Sequence, residues 1–277
     1  MNKIAKALPI WSIATAGLIM GAQPALAKDH DDDDEIPFDE AEIFFELNNT
    51  DGDLGIHALI DGEAWKKLEI VKEIGNQKLL EVEVLSRLRR QGLTEIFFES
   101  AEPTFDKLKP KKFFKRFPEG EYEIEGRTLK GKELESETEL THLMPAPPAP
   151  IVNGELMATQ CDDEEPGYNA TEIMADMPVL IAWPAVTMSH PDAEGGGAGV
   201  QPPEPVVIHN YEVVVEVELE LDGEEFTSVF SVIIPSGETS MTIPVEFIAL
   251  GDEFKYEVLA REESFNQTAV ESCFVLE

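Results

Sequence analysis

Phe254-Lys-Tyr-Glu-Val-Leu-Ala-Arg-Glu-Glu-Ser-Phe-Asn-Gln-Thr-Ala-Val-Glu-Ser-Cys-Phe-Val-Leu-Glu277 alternates apolar and polar side chains on both sides of a short polar turn. Successive side chains of a strand point to opposite faces, so a period of two marks a pair of strands with one buried side. The stretch predicts a strand hairpin closing a β-sandwich. Upstream, Tyr211, Val213, Val215, Val217 and Leu219 fall on one strand face and Glu212, Glu216, Glu218 and Glu220 on the other. Asp222-Gly223 then supplies the turn into a second strand, Phe226 to Ile234.

Three pieces of this half carry a family likeness. Val179-Leu-Ile-Ala-Trp183 followed by Pro184, Tyr211-Glu-Val-Val-Val-Glu-Val217, and Tyr256-Glu-Val-Leu-Ala260 with Asn266-Gln-Thr268 together resemble a fibronectin type III domain. The resemblance spans roughly residues 150–277 and implies a two-sheet sandwich of seven short strands. It further implies that Trp183, Tyr211 and Tyr256 occupy the core, and that the domain is a spacer or a presenter of ligands. Two stretches depart from the family pattern. The loop from Thr187 to Val206 is long and carries Gly195-Gly-Gly-Ala-Gly199 among four prolines, and the tip between the last two strands reads Arg261-Glu-Glu-Ser-Phe-Asn266 rather than Arg-Gly-Asp. Integrin-type recognition is not implied. The glycine stretch lacks the Lys of a phosphate loop and reads as a flexible connection.

The chain begins with an address. Lys3 and Lys6 precede an apolar run from Ala7 to Ala22, and Ala25-Leu-Ala27 forms a small-x-small cleavage site. Residues 1–27 therefore read as a secretory signal peptide, and the mature chain is expected in the periplasm or outside the cell, with no stable membrane insertion. The signal takes two basic and no acidic residues with it, leaving 19 basic against 56 acidic. Such a field repels nucleic acid, whose binding needs Lys and Arg to neutralise phosphates. It suits cations, basic partners, or simple solubility.

The charge is uneven. Residues 28–149 hold 30 acidic and 17 basic residues, whereas residues 150–277 hold 26 acidic residues against Lys255 and Arg261 alone. Two compositions predict two β-rich domains, 37–144 and 151–277, joined by the Pro-rich linker 145–150 and preceded by an acidic disordered arm, 28–36. The fold class expected is mainly β, with one short helix in the first domain. Ala41 to Leu47, Leu54 to Ile60, Trp65 to Val71, Lys78 to Val84 and Leu93 to Glu99 read as its strands, with Asp61-Gly62 and Gly75-Asn76 as hairpin turns. Glu42-Ile-Phe-Phe-Glu46 recurs as Glu95-Ile-Phe-Phe-Glu99, through duplication or through two strands of similar composition. Pro110 can open the helix and Pro118 end it, with Phe113, Phe114 and Phe117 capping the sheet beneath a basic surface.

Candidate chemistry is sparse. Asn48-Asn-Thr-Asp-Gly-Asp-Leu-Gly55 offers Asn49, Asp51 and Asp53 as oxygen ligands for Ca²⁺, while an ordinary turn between strands explains the same residues. The helix-loop-helix calcium pattern is not met, because carboxylates are missing at its ends. His57 follows on the next strand, within reach of this loop, and reads as a packed strand residue. Cys161 and Cys273 are the two cysteines, and in an exported chain they predict a disulfide. No Gly-x-Ser-x-Gly or His-Glu-x-x-His run occurs, so no enzyme is expected. The reading that remains is an exported binding, adhesion or cell-surface interaction protein with a protein or glycan ligand. Its alternatives are an assembly subunit of a surface complex or a carbohydrate-binding accessory to a hydrolase, for which Trp65 would be the sugar platform. The sequons Asn48-Asn-Thr50 and Asn266-Gln-Thr268 carry no expectation in a signal of bacterial type.

Overall fold

The computed structural model describes residues 35–162, 165–175, 177–191 and 202–277. The expected signal peptide, most of the acidic arm and the Gly195 to Gly199 stretch lie outside the described residues. In chain order the first half holds strands β1 (Glu40–Asn48), β2 (Asp53–Lys72), β3 (Gln77–Glu83) and β4 (Leu93–Glu99). Helix α1 (Pro110–Phe114) and strands β5 (Gly120–Thr128) and β6 (Glu133–Leu140) follow. The second half holds β7 (Ile151–Val152), β8 (Glu155–Leu156), β9 (Thr171–Ile173), β10 (Leu180–Ala182), β11 (Ile208–Leu221), β12 (Glu224–Pro235) and β13 (Ser240–Thr242). Helix α2 (Val245–Ile248) precedes β14 (Glu253–Glu262) and β15 (Gln267–Leu276). The protein is mainly β, as the alternating patterns require.

Two apolar cores form. One gathers Phe45, Ile56, Trp65, Leu68, Ile124 and Leu140, and the other gathers Val152, Ile181, Trp183, Tyr211, Val215, Tyr256 and Phe274. The second lies between two sheets, one ordered β13-β10-β7-β8 and the other containing β12-β11-β14-β15. The aromatics that carried the family likeness meet inside it. Trp183 packs edge-on against Tyr211 at 5.3 Å, and the Tyr211 hydroxyl accepts a hydrogen bond from the Val186 N–H at 2.8 Å. Asp222 and Gly223 take φ of 56° and 82°, the primed turn that joins β11 to β12.

In the first half, Gly75 and Asn76 turn as expected, with φ of 98° and 47°. Asp61-Gly62 does not: β2 runs through it as one strand of 20 residues. Its register breaks between Asp61 and Trp65, a bulge rather than a hairpin. Gly62 is needed for close approach, since a Cβ there would stand 3.1 Å from Cδ1 of Phe38. The bulge lets the two halves of β2 serve one core. β1 and β4 flank its first half, and β3 and β5 its second. The recurring pentapeptides are the two strands that border the same stretch of β2 from opposite sides. In α1, Phe113 and Phe114 are buried against Phe45 while Lys111 and Lys112 face water, so the helix covers its own sheet.

The junction is where the sequence is least informative. β15 pairs in parallel with β1, Glu46 to Asn48 beside Gln267 to Ala269, so one eleven-stranded sheet runs through both halves. Asn266 seals the junction from its buried position. Its Oδ1 accepts from the Phe45 N–H at 2.8 Å, and its Nδ2 donates to the carbonyls of Thr141 and Leu143, each at 3.0 Å. Thr268 Oγ1 donates to the Pro145 carbonyl at 2.7 Å. The proline run is extended, and Pro145, Pro148 and Pro150 are buried instead of spanning a gap. Ile36, at the end of the expected arm, already bridges to Leu134.

Candidate functional site

The joined sheet has two sides. One divides between the cores, and the other forms a single polar face across β11, β14, β15, β1, β2 and β4. Period-two geometry fixes its members: Glu212 and Glu216 on β11, Glu257 and Arg261 on β14, Gln267 and Glu271 on β15, Glu42, Phe44 and Glu46 on β1, His57 on β2, Glu99 on β4. Charge on such a face normally sits in water. Here Glu46, His57, Glu257 and Gln267 are buried.

His57 is the centre of the most enclosed part, with 1% of its surface exposed. Phe44 and Phe97 flank the imidazole, with ring centroids at 5.3 and 5.9 Å. Both ring nitrogens face carboxylates: Nε2 lies 3.2 Å from Glu102 Oε1, and Nδ1 lies 3.8 Å from Glu46 Oε2. Gln267 Nε2 donates to that same Glu46 oxygen, so the junction strand sets the Glu46 rotamer. Glu102 arrives from the loop after β4 and fits because residue 55 is glycine; a Cβ there would collide with the Glu102 carboxylate. One ligand atom from each of Glu46, His57 and Glu102 lies within 4.8 Å of the others.

The electrostatics are of one sign. Burial opposes charge on His57, but Glu46, Glu102 and Glu99 outweigh it and raise its pKa. Burial, then Glu102, Asp51, Glu271 and Glu46, pushes the Asp53 carboxyl up to about 7. Glu271 is likewise raised to about 7, by burial, then Asp51, against an opposing hydrogen bond from Asn48. Glu257 is held well above the ordinary carboxylate range, by burial first and then by Glu46, Glu271, Glu212 and Glu216. Arg261 answers part of this charge. It stands 3.3 Å from Glu42 and 4.6 Å over the Phe44 ring.

The residues singled out in the sequence fall around this centre. Asn49, Asp51 and Asp53 lie in the turn between β1 and β2. The Asn48 side chain organises that turn by accepting from the N–H groups of Thr50 and Asp51 at 2.9 and 3.1 Å. Asn49 Oδ1 is 3.2 Å from His190 Nε2, Asp51 faces water, and Asp53 leans toward the Glu102 side. The turn thus brings Asp51 and Asp53 to the rim of the acidic face while Asn49 engages the other half. Cys161 and Cys273 form the expected disulfide, with Cα atoms 5.7 Å apart, tying the segment before β9 to β15. Trp65 is fully buried and offers no platform to a sugar. Sequence reading misses Glu46, Glu102, Glu257 and Gln267. Each sits in an alternating strand or a loop, and for Glu46 and Gln267 it is the β1–β15 pairing, invisible locally, that brings them together.

The imidazole is enclosed, with a carboxylate at each ring nitrogen, a negative surrounding that favours positive charge. No helix among the described residues is long and apolar enough to cross a membrane.

No protein-family model matches the chain, and no curated protein matches it. Solved structures that resemble it are distant. A tetra-tandem repeat from the extending region of a large adhesion protein is 11% identical, covering 86% of this chain and 49% of that one at a TM-score of 0.24. The BSP domain of a biofilm associated protein is 12% identical, covering 86% and 29% at 0.23. DIP-gamma IG1+IG2 is 11% identical, covering 86% and 97% at 0.21. The chain spans about half the length of the first and under a third of the second. Likeness at this level does not bear on function.

Proposed function

We propose that this chain is an exported, non-enzymatic binding protein of the adhesion or cell-surface class, working in the periplasm or outside the cell. In this reading residues 37–144 form a ligand-bearing β domain and residues 151–277 a fibronectin type III-like mount. The observation that supports it best is the parallel pairing of β1 with β15, the first and last strands of the described chain. Tension applied between the two ends pulls parallel neighbours in opposite directions, so the hydrogen bonds of that ladder are loaded together rather than one after another. A protein that anchors one body to another profits from such a junction. The disulfide fits an oxidising compartment, and the enclosed His57 fits recognition better than turnover.

The test is surface retention. Labelled mature chain, residues 28–277, is expected to stay on intact cells of its source at low ionic strength and to leave as salt rises, because its acidic face meets basic partners. A chain recovered wholly in the soluble fraction at every salt concentration would remove the adhesion reading.

A further inference from the structure

We infer that Glu46, His57 and Glu102 form a binding site for a divalent transition ion of the zinc type, placed at the seam between the two halves of the protein. The donor set is one imidazole nitrogen and two carboxylate oxygens. Imidazole suits zinc and its neighbours in the first transition row, whereas calcium and magnesium sites are built of oxygen. Three protein ligands with a fourth position left to water is the pattern of an open zinc site, with bonds of about 2.0 to 2.2 Å.

Two buried atoms without a hydrogen-bond partner point to an ion. His57 Nδ1 is buried and has no hydrogen-bond partner, although it faces Glu46. Glu257 is buried with Oε1 unpaired, and its strongest charged neighbour is Glu46. Buried charges are normally paired or coordinate a metal. Gly55 keeps the space in which the Glu102 carboxylate lies. Two carboxylates face the one imidazole, Glu102 at 3.2 Å from Nε2 and Glu46 at 3.8 Å from Nδ1, and a divalent ion would place positive charge among them.

The site differs from the Asn49, Asp51 and Asp53 turn in ligands and in ion. Glu46 belongs to β1 and is held by Gln267 of β15, so an ion bound there also tightens the junction.

The experiment is zinc titration of the mature, disulfide-bonded chain by calorimetry after chelator treatment and gel filtration, with bound metal counted by elemental analysis. One zinc per chain is expected. Glu102→Gln, on the exposed side of the centre, is expected to fold normally and to weaken zinc binding by at least about tenfold, and His57→Asn to abolish it. A double change, Asp51→Asn with Asp53→Asn, is expected to leave zinc affinity within about threefold, and a hundredfold excess of calcium over zinc not to displace it. Cobalt in place of zinc is expected to give a visible absorption band that Glu102→Gln alters, a readout that folding alone would not move. Zinc binding unchanged in Glu102→Gln, zinc lost only in the Asp51/Asp53 variant, calcium displacing zinc, or no zinc retained at all would each overturn the site.

Discussion

The inner and outer sides of the joined sheet obey different rules. The inner side is split: residues of β1, β2 and β5 fill one apolar core and residues of β11, β14 and β15 fill another. The outer side is continuous, and it buries carboxylates, an imidazole and a glutamine along the line where the halves meet. Apolar burial needs only volume and shape. Polar burial needs a partner for each group, and at the seam some groups have none within the chain. The inner side has such atoms too, at Trp65, Trp183 and Tyr256, but there they are single polar tips in an apolar core, whereas the outer side gathers several ionisable groups.

The sharpest contrast comes from deleting bulk on the inner side. Phe45 is fully buried, meets Phe113 and Phe114 edge-on, and lies beside His142. Phe45→Ala is expected to cost about 3 to 5 kcal/mol through lost burial and the cavity left behind, read as the shift in denaturant midpoint. A cost under about 1 kcal/mol would mean that this core is not the one described.

Next in size is the junction. Asn266→Ala removes the acceptor of the buried Phe45 N–H and the donor to two half-buried carbonyls. Leaving such groups unpaired costs about 1 to 3 kcal/mol each, partly relieved by water, so a total of about 3 kcal/mol is expected. The form of the loss is more telling than its size. With the seam weakened, calorimetry is expected to resolve two transitions where the parent gives one, because each half keeps its own core. A single transition merely moved to lower temperature would show that the cores do not separate at Asn266.

The same contrast explains what was legible in the sequence. Tyr211, Val213, Val215 and Val217 announce their strand and its buried face because one period governs both. Trp183, Tyr256 and the two cysteines also declare themselves through residue type and spacing. Asp61-Gly62 misleads, since a glycine required by Phe38 looks the same as a glycine required by a turn. The site stays hidden for a stronger reason. Glu46 and Glu257 alternate with apolar neighbours as solvated strand residues do, and what buries them is a partner strand more than 200 residues away in one case and an adjoining acidic neighbour in the other. Asn266-Gln-Thr268 passes for a chance sequon when each of its side chains is built into the seam.

The smallest effect is the one that separates charge from packing on the outer side. Glu257 has its pKa raised by burial and by Glu46, Glu271, Glu212 and Glu216, so the folded chain favours its protonated form. For a carboxyl raised in the folded state, the native protein binds more protons than the unfolded one, and stability falls as pH climbs from the unfolded value toward the folded one. The contribution is therefore whole below about pH 4 and is progressively lost above it; for Glu271 the loss is complete only beyond its folded value of about 7. With chelator present to exclude metal, the parent protein is expected to melt several degrees lower at pH 8 than at pH 5. Glu257→Gln keeps the shape and removes the titration. It is expected to match the parent at low pH and to exceed it at pH 8, the gap widening as pH rises, read as the difference in melting temperature. Equal slopes for the two proteins would place Glu257 in water and return the outer side to the ordinary solvated face that its alternating sequence describes.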